Sequence, residues 1–83
     1  MKFLVTDDSK MARKMTIKSI KEVEGDSIEI IEAVNGVEGV EMYKKHKPDV
    51  CFMDLTMPMM NGFDAVTKIC EFDKNAKIII ISD

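Results

Sequence analysis

Short apolar runs alternate with amphipathic stretches along this chain. Strands are predicted where the runs are short and rich in β-branched or aromatic residues: Phe3–Val5, Ile28–Val34, Val50–Met53 and Lys77–Ser82. Helices are predicted where apolar residues recur at helical spacing: Lys10–Val23, from Asn35-Gly36 to about His46, and from Asn61-Gly62 to about Phe72. This alternation, with its short connections, predicts an α/β fold with a parallel sheet and right-handed crossovers.

The spacing of apolar residues within the helices also predicts which side chains face the core. They are Met11, Ala12, Met15, Ile20 and Val23 in the first helix, Val37, Val40 and Tyr43 in the second, and Phe63, Val66, Ile69 and Cys70 in the third. The second strand places Glu29 and Glu32 between isoleucines, which is typical of an outer strand with one face partly in water. Ser9 or Asp8 is predicted to cap the first helix.

The stretch Asp49–Gly62 carries the clearest functional signal. It begins as a buried strand, and Asp54 directly follows the last apolar residue of that strand. Pro58 cannot donate to a sheet and restricts the preceding residue to extended conformations, so the strand has ended by this point. Because open α/β sheets bind ligands at the carboxyl ends of their strands, Asp54 is a candidate functional residue. The alternative is that Asp54 caps the next helix, but that helix is predicted to begin near Asn61, beyond the reach of Asp54.

Other acidic residues are predicted at the same edge of the sheet. Asp7 and Asp8 follow the first strand, and Ser82-Asp83 end the fourth. Converging carboxylates repel one another unless a cation or a shared proton intervenes. Oxygen ligands without histidine or thiolate indicate a hard cation, Mg²⁺ rather than zinc. The alternative for Asp7 and Asp8 is that they are loop acids that cap the first helix.

Composition and charge exclude several classes of protein for this chain. The 83 residues predict one small domain, and 46% hydrophobic with 33% charged residues is typical of a folded globular protein. The longest apolar run, Ile78–Ile81, is too short to cross a membrane, and no signal peptide is expected after Lys2. A net charge of −3 argues against a nucleic-acid-binding protein, and the basic residues of the first helix are interpreted as a solvated face. Cys51 and Cys70 lack the spacing of a zinc or redox pair, which favours free thiols and a cytoplasmic location.

Several motifs together resemble the receiver domain of two-component response regulators, including the single-domain chemotaxis type. They occur in order along the chain: Val5-Thr6-Asp7-Asp8-Ser9, Ala33-Val34-Asn35-Gly36, Lys47-Pro48-Asp49, Met53–Gly62 and Ala76–Ser82. The string Asp-Leu-x-Met-Pro-x-Met-x-Gly, which begins at Asp54, is highly specific. The resemblance implies a flavodoxin-like, doubly wound parallel sheet in which the strands take the order 2-1-3-4-5.

The resemblance also implies the chemistry of the site. Asp54 would be the nucleophile that accepts a phosphoryl group from the phosphohistidine of a histidine kinase or a phosphotransfer protein. Mg²⁺ would be held by Asp8, Asp54 and the backbone carbonyl of Thr56, with Asp7 acting through bound water. Further contacts to the phosphoryl group would come from a switch hydroxyl and two backbone amides, those of Ser82, Leu55 and Asp83.

The length of the chain is a departure from the family pattern. A receiver domain continues through a fourth helix, a fifth strand and a fifth helix, so residues 1–83 are expected to be a single truncated receiver domain, an incomplete (βα)3β sheet. The fifth strand of the family carries a lysine that contacts the phosphoryl group, so phosphorylation is expected to be slower than in intact receivers. The fourth strand would then be an exposed edge, which predicts a homodimer or completion by another chain.

Two other functions compete with a phospho-accepting signalling module. The first is a non-signalling structural or interaction fragment that retains the site from its ancestry. The second is an aspartate-nucleophile phosphatase of the haloacid dehalogenase type. It is disfavoured because that class needs a second aspartate two residues after the nucleophile, where this chain has Thr56. Beyond weak self-catalysed phosphorylation and dephosphorylation, no enzyme activity is expected.

Overall fold

The computed structural model describes residues 1–55, 57 and 59–81. Strands and helices alternate in it as β1 (Lys2–Thr6), α1 (Lys10–Glu24), β2 (Glu29–Ala33), α2 (Gly36–His46), β3 (Val50–Asp54), α3 (Gly62–Phe72) and β4 (Ile78–Ile81). The predicted order of elements is therefore confirmed. The predicted continuation of the fourth strand to Ser82 lies outside the described residues.

The strands form a parallel sheet in the order β2-β1-β3-β4. This is the flavodoxin-like arrangement, and it confirms that the second strand lies at an edge. In the central pair, Leu4 lies opposite Cys51 and Thr6 lies opposite Met53. This register brings the carboxyl ends of β1 and β3 together, so Asp7 and Asp54 follow paired residues.

Each helix begins at a polar side chain that accepts a hydrogen bond from a backbone amide of the first turn. Ser9 Oγ accepts from the amide of Ala12 at 3.2 Å, which resolves the choice between Ser9 and Asp8 as the cap of α1. Asn35 caps α2, and Asn61 caps α3 by accepting from the amide of Asp64 at 3.0 Å. Because α3 begins only after Asn61, Asp54 does not cap it.

The core lies on both faces of the sheet. The larger cluster packs α2 and α3 against one face, and its buried members include Leu4, Val40, Tyr43, Met53 and Ile69. The smaller cluster packs α1 against the other face, around Phe3, Val5 and Ile20. One face of the sheet is therefore covered by two helices and the other by α1.

Several apolar helix positions predicted to be buried are exposed. In α1, Met11, Met15 and Val23 are 66–80% exposed, because this helix buries only a narrow stripe around Ile20. In α3, Phe63 is 67% exposed and Cys70 is also exposed. The buried stripe of α3 runs instead through Ala65 and Ile69, so helical spacing located the helices correctly but overestimated the width of their buried faces.

A hydroxyl buried in the core ties two elements together. Tyr43 of α2 is 2% exposed, and its hydroxyl donates to Asp73 Oδ2 at 2.9 Å, just beyond the end of α3. Burial raises the pKa of the Tyr43 hydroxyl, and the hydrogen bond and negative charge of Asp73 raise it further. None of the described helices has the length and apolar character needed to span a bilayer.

Candidate functional site

Three carboxylates converge at the carboxyl edge of the sheet, as the sequence predicts. Asp7 and Asp8 follow β1, and Asp54 is the last residue of β3. One oxygen of each carboxylate lies within 4.8 Å of the corresponding oxygens of the other two. Asp7 is buried, Asp54 is partly buried and Asp8 is exposed, so the cluster opens from the sheet towards solvent.

Asp7 has the most perturbed environment in this cluster. It is 5% exposed, and desolvation by this burial raises the pKa of its carboxyl group. A hydrogen bond from the Ser9 amide to Asp7 Oδ1, at 2.9 Å, lowers that pKa but does not overcome burial. The negative charges of Asp54 and Asp8, and a side-chain hydrogen bond with Asp54, raise it further. The cluster therefore favours uptake of a positive charge, either a proton or a cation.

The backbone of Asp7 is held from two directions. Its amide donates to the carbonyl of Ala33 at 3.0 Å, which extends the pairing of β1 with β2. Its carbonyl accepts from Arg13 Nη1 at 2.8 Å, and Arg13 Nε donates to Glu32 Oε1 at 2.9 Å. The Arg13 side chain is only 11% exposed. The sequence interpretation of Arg13 as part of a solvated basic face is therefore wrong, because the side chain folds back over the carboxyl edge.

The backbone around Asp54 is packed closely against the start of α3. The amide of Gly62 donates to the carbonyl of Leu55 at 3.1 Å. A Cβ atom at position 62 would collide with the carbonyl oxygen of Asp54 and would lie 2.7 Å from Leu55 Cα. Only glycine permits this approach, so Gly62 fixes the chain just after Asp54. The role of this glycine was not predicted from the sequence, although its place after Asn61 marked it as a turn residue.

Leu55 has a backbone partner in this structure. Its amide donates to the carbonyl of Ile81 at 3.4 Å, a long bond that continues the ladder between β3 and β4. Donation of this amide to a phosphoryl oxygen stays a prediction. The predicted roles of Thr56, Ser82 and Asp83 fall on residues outside those that the structure describes.

The donor set fits a hard divalent cation. The clustered side chains supply only carboxylate oxygens, the ligands that Mg²⁺ and Ca²⁺ prefer, and no imidazole or thiolate. Mutual repulsion and the raised pKa of Asp7 give a physical reason for the cluster to bind a cation. The edge therefore combines a candidate metal site with Asp54, a partly exposed carboxylate that can act as a nucleophile.

Comparison with known proteins agrees with this geometry. The sequence matches the response regulator receiver domain over residues 3–83. It is 47% identical to the chemotaxis protein CheY of Thermotoga maritima over 83 residues, an alignment that covers 95% of this chain and 64% of the relative. It is also 42% identical to the chemotaxis protein CheY of Bacillus subtilis over 81 residues, covering 98% of this chain and 66% of the relative.

Solved structures give the same assignment. A chain of the CheX–CheY–BeF3–Mg²⁺ complex of Borrelia burgdorferi superposes with a TM-score of 0.86 at 39% identity, covering 99% of this chain and 61% of that one. TrrA of Thermotoga maritima, in complex with Mg²⁺ and BeF, superposes with a TM-score of 0.89 at 28% identity, covering 98% of this chain and 68% of that one. The chain thus spans roughly two thirds of the length of these relatives. The family match, the sequence relatives and the shared fold together show that this chain belongs to the receiver domain family of response regulators.

Proposed function

We propose that this chain is a phospho-accepting signalling module of a two-component system, with residues 1–83 acting as one receiver domain. The supporting observation is the convergence of Asp7, Asp8 and Asp54 at the carboxyl edge of the sheet, in a chain of the receiver family. Receiver domains are phosphoacceptor switches rather than conventional enzymes. The proposed donor is the phosphohistidine of a histidine kinase or a phosphotransfer protein, and the proposed location is the cytoplasm.

The proposed reaction is the transfer of one phosphoryl group. A carboxylate oxygen of Asp54 attacks phosphorus, a P–O bond forms, and the P–N bond of the donor phosphohistidine breaks. The electron pair of that bond leaves with the imidazole nitrogen, which takes up a proton from solvent. The product is an acyl phosphate on Asp54 and a neutral histidine on the donor. Because Asp54 is partly exposed at the edge of the sheet, a donor can approach it from solvent.

Negative charge is the main obstacle to this reaction. The Asp54 carboxylate must approach a phosphoryl group, which is itself negatively charged. The carboxylates of Asp7 and Asp8 have oxygens within 4.8 Å of an Asp54 oxygen and add to the repulsion. Asp8, Asp54 and the carbonyl of Thr56 would hold Mg²⁺, with Asp7 acting through bound water. The ion, when bound, supplies positive charge that offsets the repulsion in the ground state and the transition state. Without the ion, burial and the neighbouring charges of Asp54 and Asp8 raise the pKa of the Asp7 carboxyl group.

The remaining roles belong to residues near the ends of β3 and β4. Ser82 is proposed as the hydroxyl that contacts the phosphoryl oxygens and couples phosphorylation to a change at the surface. The amides of Leu55 and Asp83 are proposed as further donors to the phosphoryl group. For Leu55, this requires that its amide exchange the long bond to Ile81 for the phosphoryl oxygen.

A small-molecule phosphodonor tests the proposal without knowledge of the natural kinase. Phosphoramidate and Mg²⁺ should add one phosphoryl group to the protein, measured by intact mass. Asp54→Asn, which preserves size and removes the nucleophile, should show no addition. No reaction of the wild type under conditions that phosphorylate a full-length relative would refute the proposal.

A second candidate is an interaction fragment completed by self-association or by another chain. It is favoured by an apolar groove of about 750 Å³ on the face of the sheet that α1 covers. The groove is bounded by α1 and by the edge strand β4, and its apolar lining includes Ile20, Val23, Val50, Phe52, Ile79 and Ile81. Because an open edge strand beside an apolar surface recruits a further element, we propose a homodimer as the simplest occupant.

A further inference from the structure

The first turn of α2 contacts the loop that follows Asp54. Gly36 is the first residue of this helix and is buried. Its amide donates to the carbonyl of Met60 at 3.1 Å, in the segment that connects β3 to α3. The contact joins residues from two connections that leave the same edge of the sheet, the one after β2 and the one after β3.

Only glycine permits this contact. A Cβ atom built at position 36 would collide with the carbonyl oxygen of Met60 and would lie 2.6 Å from Met60 Cβ and 2.7 Å from its carbonyl carbon. The colliding atoms belong to the backbone and to Cβ, which no side-chain rotation can move away. Any side chain at position 36 must therefore displace Met60 or the start of α2.

Met59, next to Met60, has a strained backbone conformation that needs support from its surroundings. Met59 has a φ of 69°, in the left-handed region that residues other than glycine rarely adopt. Asn35 Nδ2 lies 3.5 Å from Met59 Sδ, in a weak hydrogen bond, while Asn35 Oδ1 caps α2 through the amide of Glu38 at 2.8 Å. Asn35 and Gly36 thus contact two successive residues, Met59 and Met60, and these contacts from the start of α2 support the strained backbone of Met59.

Met60 is connected to the backbone around Asp54, the proposed phosphoacceptor, by a few residues. Two residues after Met60, the amide of Gly62 donates to the carbonyl of Leu55 at 3.1 Å. Gly62 also lies against the backbone of Asp54, where no Cβ atom could fit. If Met60 moves, Asn61 and Gly62 must move with it, and Gly62 then displaces the peptide that follows Asp54.

We infer that Gly36 is a positioning residue for the phosphoacceptor loop, which it holds in place through Met60. The inference rests on the proposed function, because the loop matters for phosphorylation only if Asp54 is the acceptor. Gly36 acts through Met60, so its effect is on the geometry of the chain after Asp54. Removing this support should impair phosphorylation more than the accompanying loss of stability explains.

Gly36→Ala tests the inference, with Gly25→Ala as the matched control. Gly25 has a φ of 87°, so alanine is strained there too, but a Cβ atom at that position meets nothing within 4 Å. Gly25 follows the end of α1, at the opposite edge of the sheet from Asp54. The rate of phosphorylation by phosphoramidate is compared at a temperature where circular dichroism shows both variants fully folded.

Gly36→Ala should lower the rate constant by about ten- to a hundredfold, since small misplacements of reacting groups have effects of this size, while Gly25→Ala should keep the wild-type rate. Amide hydrogen exchange gives a second readout that needs no phosphodonor. The Gly62 amide should exchange faster in Gly36→Ala than in Gly25→Ala at matched global stability. Wild-type phosphorylation and unchanged exchange in Gly36→Ala would overturn the inference.

Two outcomes are separated by this design. If the wild type is not phosphorylated, the proposed function fails and the exchange measurement still decides whether Gly36 holds the loop. If Gly36→Ala does not fold in buffer, its exchange is measured in an osmolyte that stabilises the folded state, beside Gly25→Ala in the same solution. The Gly62 amide should then exchange faster in Gly36→Ala, and equal exchange in the two variants would contradict the inference.

Discussion

Asp7→Asn is expected to stabilise the metal-free protein at neutral pH. The substitution removes one of three clustered negative charges and keeps the shape of the side chain. It also keeps Oδ1, which accepts the hydrogen bond from the Ser9 amide at 2.9 Å. What changes is the repulsion between the buried carboxylate at position 7 and those of Asp8 and Asp54.

The size of the effect follows from the separation of the charges. Two unit charges 4.8 Å apart, the upper limit for the clustered oxygens, repel by about 3.5 kcal/mol at an effective dielectric constant of about 20. Solvent screens Asp8, which is exposed, and the hydrogen bond between Asp7 and Asp54 relieves part of the rest. We therefore expect the free energy of unfolding to rise by about 1–2 kcal/mol, or roughly 4–16 °C in melting temperature for a domain of this size.

The pH dependence has a definite sign. Folding raises the pKa of Asp7 above its ordinary value of 3.8. Between pH 3.8 and the raised pKa, the folded state therefore binds more protons than the unfolded state. The stability that the wild type gains from this proton is present at low pH and is lost as the pH rises through the raised pKa. The advantage of Asp7→Asn should therefore be smallest in acid and largest at neutral pH.

Urea unfolding followed by circular dichroism, in buffer with EDTA, measures this difference at acidic and neutral pH. Asp26→Asn is the control, because it changes the net charge equally at an exposed position outside the cluster. Added Mg²⁺ should stabilise the wild type, by about 1.4 kcal/mol at ten times its dissociation constant, and should stabilise Asp7→Asn less. A lower free energy of unfolding for Asp7→Asn than for the wild type, at neutral pH without metal, would be incompatible with repulsion within the acidic cluster.

Three further predictions concern the metal site, the core and the open edge of the sheet. Asp8→Ala should abolish Mg²⁺ binding in a titration while Ser82→Ala leaves it nearly unchanged; equal affinity of Asp8→Ala and the wild type would contradict the site. Tyr43→Phe should lower the free energy of unfolding by about 1–2 kcal/mol, since it leaves Asp73 without its buried partner, and a urea curve that matches the wild type would count against this. Light scattering at micromolar concentration should show a dimer, and a folded, monodisperse species of 9.4 kDa would exclude self-association through the groove and β4.

Local sequence signals were sufficient for most of the fold. Apolar runs such as Val50–Met53, bounded by turn residues, located the strands. The predicted cap at Ser9 or Asp8 and the turn pairs that begin at Asn35 and Asn61 located the starts of the helices. The convergence of Asp7, Asp8 and Asp54 followed from the parallel order alone, because parallel strands end at one edge. These features depend on residues that are neighbours along the chain and on the order of strands and helices. Both can be predicted from the sequence pattern.

Contacts between distant parts of the chain could not be predicted in the same way. Arg13 belongs to a basic stretch by sequence, yet it reaches back to the Asp7 carbonyl and to Glu32. The pair Asn35-Gly36 predicts a turn, but it does not predict that Met60, 24 residues later in the chain, leaves no room for a side chain at position 36. Met11 has the spacing of a core residue and is 73% exposed, because the width of a buried face depends on what packs against the helix.

Locating the phosphoryl group on the chain decides whether Asp54 is the phosphoacceptor. The protein is treated with phosphoramidate and Mg²⁺, the acyl phosphate is reduced with borohydride, and the modified residue is identified by peptide mass spectrometry. We expect modification at Asp54 alone, in an amount that depends on Mg²⁺. Modification at Asp7 or Asp8, with Asp54 unmodified, would contradict it.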